Sequence, residues 1–184
     1  MWKRNVLIAT CALGVLGLSG CGSTAKPPSA EETSTSAASS TSTTSGTKLF
    51  TTGAVPSVGG ASDLSKEPVV SAGPSPAPTV LTGRDLVVGT GATAVSTDTV
   101  KVQYVGAFYS TGKVFDASWT DSGPTSFPLS GVIPGFKDAI IGMKVGGRRE
   151  MVIPPAYGYG AAGQPPTIPG NSTLVFVIDL LGIS

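Results

Sequence analysis

The stretch TLVFVIDLL, Thr173 to Leu181, is apolar at odd and even positions alike and rich in β-branched residues. Successive side chains of a strand point to opposite faces of its sheet, so this run fits a central strand covered on both sides. VKVQYVG is different: Val100, Val102 and Tyr104 share one face of a strand. RREMVI, from Arg148, alternates less cleanly and is also strand-like. The clearest helix signal is IPGFKDAIIGMKVGG. Pro134 suits a first turn, and Phe136, Ala139, Ile140 and Met143 follow the i, i+3, i+4, i+7 spacing. Gly142 and the Gly146–Gly147 pair limit its length. Several strands around one short amphipathic helix imply the α+β class, an antiparallel sheet with the helix packed on one face.

The N-terminal third reads as something other than this domain. Lys3 and Arg4 precede an apolar run from Val6 to Leu18, the layout of an export signal and short for a membrane span. The run ends in Leu18-Ser19-Gly20-Cys21, which resembles the bacterial lipobox. That resemblance implies a signal peptide over residues 1–20 and a lipid on Cys21; the plain alternative is an ordinary cleaved signal with an incidental cysteine. Gly22 to Thr47 is dominated by Ser, Thr and Ala, with no aromatic and no aliphatic larger than Ala. Such a segment cannot bury enough apolar surface to offset the entropy of ordering. The expected division is therefore a tether over residues 21–59 and one domain over 60–184. A coil of the tether's length spans on the order of 35 Å root-mean-square. Between Lys66 and Gly91, short apolar runs broken by Pro and Gly suit edge strands and loops.

Much chemistry is excluded. The chain has no histidine, which removes Ser-His and Cys-His nucleophiles and imidazole metal sites. Its two cysteines are Cys11, inside the signal, and Cys21, so the domain has neither thiol nor disulfide and must hold by its core alone. The GTGATA at Gly89 lacks both the GxGxxG spacing and a Walker lysine, and reads as a turn. A formal charge of +1 without a basic run argues against nucleic acid. Asp116 and Asp121 are a near acid pair, and nothing marks them as convergent. No cofactor is implied. The remaining classes are an enzyme without a conventional catalytic group and a binding module.

The loop IPPAYGYGAAGQPPTIPG, Ile153 to Gly170, sharpens the question: five prolines, four glycines, two tyrosines and no charge. Read in order, VQYVG, TGKVFDASW, FPLSGVIPGF, GMKVGGRREMVIPPAYGYGAAG and IPGNSTLVFVIDLL resemble the FKBP-type peptidyl-prolyl cis–trans isomerases. The resemblance runs from about Leu86 to Ser184. It implies a five- or six-stranded antiparallel sheet wrapped around a short helix, with an apolar pocket between them. It further implies catalytic roles for Tyr104, Phe115, Asp116 and Tyr159, the Tyr159 hydroxyl binding a ligand carbonyl. Phe127, Val132, Ile133, Phe136, Ile168 and Phe176 would line the substrate pocket. Asp116 has two open readings: it orients the carbonyl environment, or it ties down a neighbouring tyrosine or arginine.

Several positions depart from the family pattern. Phe136 stands where the family usually has tryptophan, so the floor ring lacks an N–H donor. Gln164 replaces a histidine of some members, Thr125 an aromatic, and the stretch from Phe127 to Val132 is two residues shorter than in the small human relatives. The implied partners are proline-containing polypeptides and macrolide inhibitors, with a membrane reached through Cys21 and the domain a monomer on the extracytoplasmic side. Two competitors remain: a non-catalytic chaperone using the same pocket, and a structural envelope protein that uses the fold as a scaffold.

Overall fold

The computed structural model describes residues 50–184 except Ser122; the signal, Cys21 and the Ser/Thr tract lie outside these residues. In chain order the elements are β1 (Val58–Gly59), β2 (Val69–Val70), β3 (Thr82–Val87), β4 (Thr99–Phe108), β5 (Val114–Ala117), α1 (Ser118–Asp121), β6 (Thr125–Pro128), α2 (Pro134–Ile140), β7 (Arg148–Ile153) and β8 (Leu174–Ile183). Single 3-10 turns occupy Leu129–Gly131 and Pro155–Tyr157. Six strands form one antiparallel sheet in the order β3-β7-β8-β4-β5, with β6 also paired to β4. No helix among the described residues is long and apolar enough to cross a membrane.

β8 is central, with β7 on one side and β4 on the other. Its Leu174, Phe176, Ile178 and Leu180 face one cluster, together with Val100, Val102 and Tyr104 of β4 and Met151 and Ile153 of β7. Into this face packs α2 through Phe136, Ala139 and Ile140. Pro134 opens the helix, and Gly142, at φ +78, turns the chain away after its end. The guanidinium of Arg149 reaches across to the helix terminus, donating to the carbonyls of Ala139 (2.9 Å) and Ile141 (3.3 Å). Those are carbonyls that a helix end leaves without intrahelical partners. GTGATA is not a turn but a non-regular run with a bend at Gly91: its Gly91 and Ala94 amides bond the Val145 and Met143 carbonyls, and Thr93 forms a bridge with Lys144.

The opposite face of the sheet carries Val105, Ala107, Val152, Val175 and Val177, and it too is buried. Its cover comes from the segment before β3. Val55, Val58 and Val70 pack on it, and the β1–β2 hairpin lies within that segment. Three side chains of the domain bind this segment through its backbone carbonyls. Tyr109 donates its hydroxyl to Pro74 (2.6 Å), Arg84 reaches Pro56 (3.0 Å), and Arg148 reaches Gly60 (2.7 Å) and Lys66 (3.1 Å). Arg148 is fully buried and paired bidentately with the buried Asp179.

This moves the start of the packed body. Residues before Gly60, expected to belong to the tether, are held from Phe50 onward. Phe50 is buried in the helix-side core with the Arg149 guanidinium 4.9 Å from its ring centroid. Thr51 bridges Thr82 in parallel, its amide bonding Leu81 (3.0 Å) and its carbonyl accepting from Gly83 (2.9 Å). Apolar side chains on the second face of the sheet need a layer, and Val55, Val58 and Val70 of this segment supply it.

Glu150, on the same face as Arg148, is fully buried; one carboxylate oxygen accepts from Arg84 (2.9 Å) and the other has no partner. Burial raises its pKa above the ordinary 4.5, with Arg84 opposing. The folded state then holds this proton more tightly than the unfolded state, so Glu150 lowers stability above its raised pKa and this cost shrinks as pH falls toward 4.5. Chemical denaturation of Glu150→Gln across pH 4.5–7.5 should show a variant more stable than the parent at the neutral end, its advantage fading with acidification. An advantage that grew on acidification would contradict the assignment.

Candidate functional site

Five rings meet on the helix side of the sheet. Phe136 of α2 and Phe176 of β8 are fully buried, their centroids 5.3 Å apart and their planes at 79°. Tyr104 of β4 stands edge-on to Phe136 at 6.0 Å, and Phe127 of β6 does the same at 6.2 Å. Tyr104 also lies 6.1 Å from Phe127 and 6.4 Å from Phe176. Phe115 of β5 is half-buried, edge-on to Phe176 at 5.8 Å, with Phe108 behind it at 5.1 Å. Edge-to-face pairs at these separations satisfy the quadrupole of each ring, so the set is rigid as well as apolar. Phe136 and Phe176 form its floor; Phe115 and Tyr159 sit at its partly exposed rim.

Each expected residue is brought to this region. Tyr104, Phe127, Val132, Ile133, Phe136, Ile168 and Phe176 share one buried cluster, and Phe115 and Tyr159 pack against it. Val132 and Ile133 enter at the start of α2, after the 3-10 turn that fills the short stretch from Leu129 to Gly131. Ile168 is placed by the loop folding on itself: Gln164 and Ile168 form an antiparallel bridge, the Gln164 amide bonding the Ile168 carbonyl at 2.8 Å. Tyr157 is exposed, and its amide bonds Pro154 (3.0 Å). Cys21 lies outside the described residues.

The polar groups are few. Tyr104 donates its hydroxyl to Asp116 at 2.8 Å, so of the two readings of Asp116 the tie to a neighbouring tyrosine is realised. The Tyr159 hydroxyl is buried and has no hydrogen-bond partner. Its pKa is raised, first by burial and then by the negative charge of Asp116, so it keeps its proton across the physiological range. The region thus brings together an apolar set of rings, one protonated donor without an acceptor, and a carboxylate fixed by a phenol. Among the described residues no group of three metal-ligating side chains exists. A separate open cleft of ≈ 490 Å³, between Ala77–Thr79 and Pro154–Ala156, contains none of the ring residues and no ionisable side chain.

Two contributors escaped the sequence reading. Gly106 faces the rings: a Cβ there would lie 2.8 Å from atoms of both Phe115 and Phe176. Only a glycine lets those rings close over the strand, and a glycine inside a strand is the sequence signal for such an approach. Ser118, at the junction of β5 and α1, bonds the Tyr104 amide and Gln103; nothing in its sequence context marks it.

With the fold and the site described, comparison with known proteins is specific. Residues 91–181 match the family model of the FKBP-type peptidyl-prolyl cis–trans isomerases. The chain is 47% identical over 117 residues to a probable FK506-binding protein of Corynebacterium glutamicum, covering 63% of this chain and 98% of that one. It is 46% identical over 110 residues to an FK506-binding protein of Streptomyces anulatus, covering 58% of this chain and 88% of that one. Its fold is similar to the crystal structure of FkpA from Escherichia coli, with a TM-score of 0.55 and 44% identity over 58% of this chain and 49% of that chain.

Proposed function

Because the chain belongs to the family of FKBP-type peptidyl-prolyl cis–trans isomerases, we propose that the ring set seats the proline of an X–Pro segment and holds its amide more tightly twisted than planar. Rotation about an amide costs ~18–20 kcal/mol because resonance is lost, while the two planar forms of an X–Pro bond differ by only about 0.5–1 kcal/mol. No proton or electron pair must pass to the protein, which suits a site without His, Cys or an activated hydroxyl. Catalysis requires only that the site bind the twisted amide better than the planar one, and each 1.36 kcal/mol of that preference is worth about tenfold in rate.

The observation that carries this reading is the Tyr159 hydroxyl. A buried donor without a partner costs about 1–3 kcal/mol, and a substrate carbonyl would relieve it. Losing conjugation, the twisted amide carries a smaller overall dipole than the planar one and is favoured by a dry apolar seat; the donor then steers its carbonyl oxygen. Phe136 supplies the floor by its ring alone. The same seat is where a macrolide would compete with a polypeptide substrate.

Replacing Tyr159 by Phe separates a functional hydroxyl from a structural one. Stability should be unchanged or higher, since an unpartnered buried polar group is removed, while kcat/KM for an X–Pro substrate falls about tenfold. A Tyr159→Phe protein with full kcat/KM would overturn the assignment of the donor.

We also infer, from the sequence of the N-terminal segment, that the domain works outside the cytoplasmic membrane on exported polypeptides, anchored by a lipid on Cys21. More than one acyl chain makes such anchoring durable. Cells fed a radiolabelled fatty acid should label the full chain and not Cys21→Ser, which should leave the membrane fraction; label retained by Cys21→Ser would refute the anchor.

A further inference from the structure

The geometry points to Ser118 as the positioning residue of the Tyr104–Asp116 pair, an inference that rests on the function proposed above. In the β4–β5 ladder, Val105 stands opposite Ala117 and Gly106 opposite Asp116. The next residue on the β5 side, Ser118, falls where the chain leaves the strand and starts α1. The ladder does not end there. Its bond to the Tyr104 amide is accepted by the Ser118 hydroxyl oxygen, at 2.9 Å and buried. That hydroxyl donates its own proton to Oε1 of Gln103 at 2.6 Å, which directs its lone pairs back toward the Tyr104 amide. A side chain thus stands in for a strand carbonyl, with Gln103 setting its direction.

The consequence reaches the site through two residues. Tyr104 is held at its backbone by Ser118 and at its hydroxyl by Asp116, at 2.8 Å. Asp116 lies on β5, only two residues before Ser118. The junction therefore fixes where the Asp116 carboxylate meets the Tyr104 phenol. Removing the Ser118 hydroxyl would orphan a buried backbone donor, a change of the size that moves a strand end. Phe115, next to Asp116, moves with the same strand end.

The test is a double-mutant cycle on the full chain, with kcat and KM for a single X–Pro peptide read by exchange spectroscopy and folding read by chemical denaturation. Ser118→Ala should lower kcat/KM about tenfold, mostly in kcat, the factor expected for one orphaned buried hydrogen-bonding group. In a Tyr104→Phe background, where the phenol no longer reaches Asp116, the same change should add less than about twofold, because the coupled partner is gone. Ser118→Thr, which keeps the hydroxyl, should recover most of the rate. If Ser118→Ala does not fold, Gln103→Leu removes only the acceptor that aims the hydroxyl; its loss should be smaller and again disappear with Tyr104→Phe. Equal fold-losses in both backgrounds, or a folded Ser118→Ala or Gln103→Leu of full activity, would overturn the inference. A parent protein that fails to accelerate exchange would instead refute the function on which it rests.

Discussion

Everything in this molecule turns on β8 being sealed on both faces. On one side its Phe176 meets the rings of β4, β5 and α2 and becomes the floor of the ring set. On the other, Val175 and Val177 lie under the segment that precedes β3. Each buried valine or larger apolar side chain contributes about 1.5–3 kcal/mol relative to exposure, so neither face could be left to water without loss of the fold. The strand that carries the site is thus fixed from behind by Val55, Val58 and Val70 of that segment. The Arg148–Asp179 pair sets where that backing lies. A buried ion pair gains little net stability over an apolar pair of the same size, but removing one partner costs about 3–5 kcal/mol. Its guanidinium spends its remaining donors on the Gly60 and Lys66 carbonyls, which gives the pair a role in register rather than in bulk stability.

On the site face, rigidity and dryness come from one source. Edge-to-face contacts lock the rings about Phe136, where Phe136 and Phe176 are fully buried, while Gly106 lets Phe115 and Phe176 close together. Polar atoms are confined to the rim, where the Tyr104–Asp116 bond fixes one group and the Tyr159 hydroxyl remains without a partner. Such a surface is suited to a reaction whose barrier is loss of conjugation and not bond cleavage.

The legibility of these features in the sequence follows their physics. β4, β8 and α2 were readable because each is long or strongly periodic: Val100, Val102 and Tyr104 alternate, TLVFVIDLL does not, and Phe136 to Ile140 keep helical spacing. The ring residues were readable through five motifs in register. The backing layer was not. Its strands have two residues each, and its apolar anchors Val55, Val58 and Val70 follow no period, so the residues before Gly60 read as tether and those from Lys66 onward as edge strands and loops. TLVFVIDLL required a cover on its second face without identifying which chain provides it. Arg148 was hidden for the opposite reason: a charged residue in a strand suggests solvent, and only Asp179 and two carbonyls make its complete burial tolerable. Ser118 and Gly106 act through single atoms or the lack of one, which no pattern of hydropathy reports.

The central claim is that this site turns X–Pro bonds and does more than hold them. The most direct measurement is two-dimensional NMR exchange on a short peptide with one X–Pro bond, with the protein present at a small fraction of the peptide concentration. Cross-peaks between cis and trans resonances should build up far faster than in buffer and vanish when Phe136 and Phe115 are both replaced by Ala in a chain that still folds. Peptide resonances that shift with protein while exchange stays at its buffer rate would contradict it, and would mean a pocket that binds proline segments without turning them.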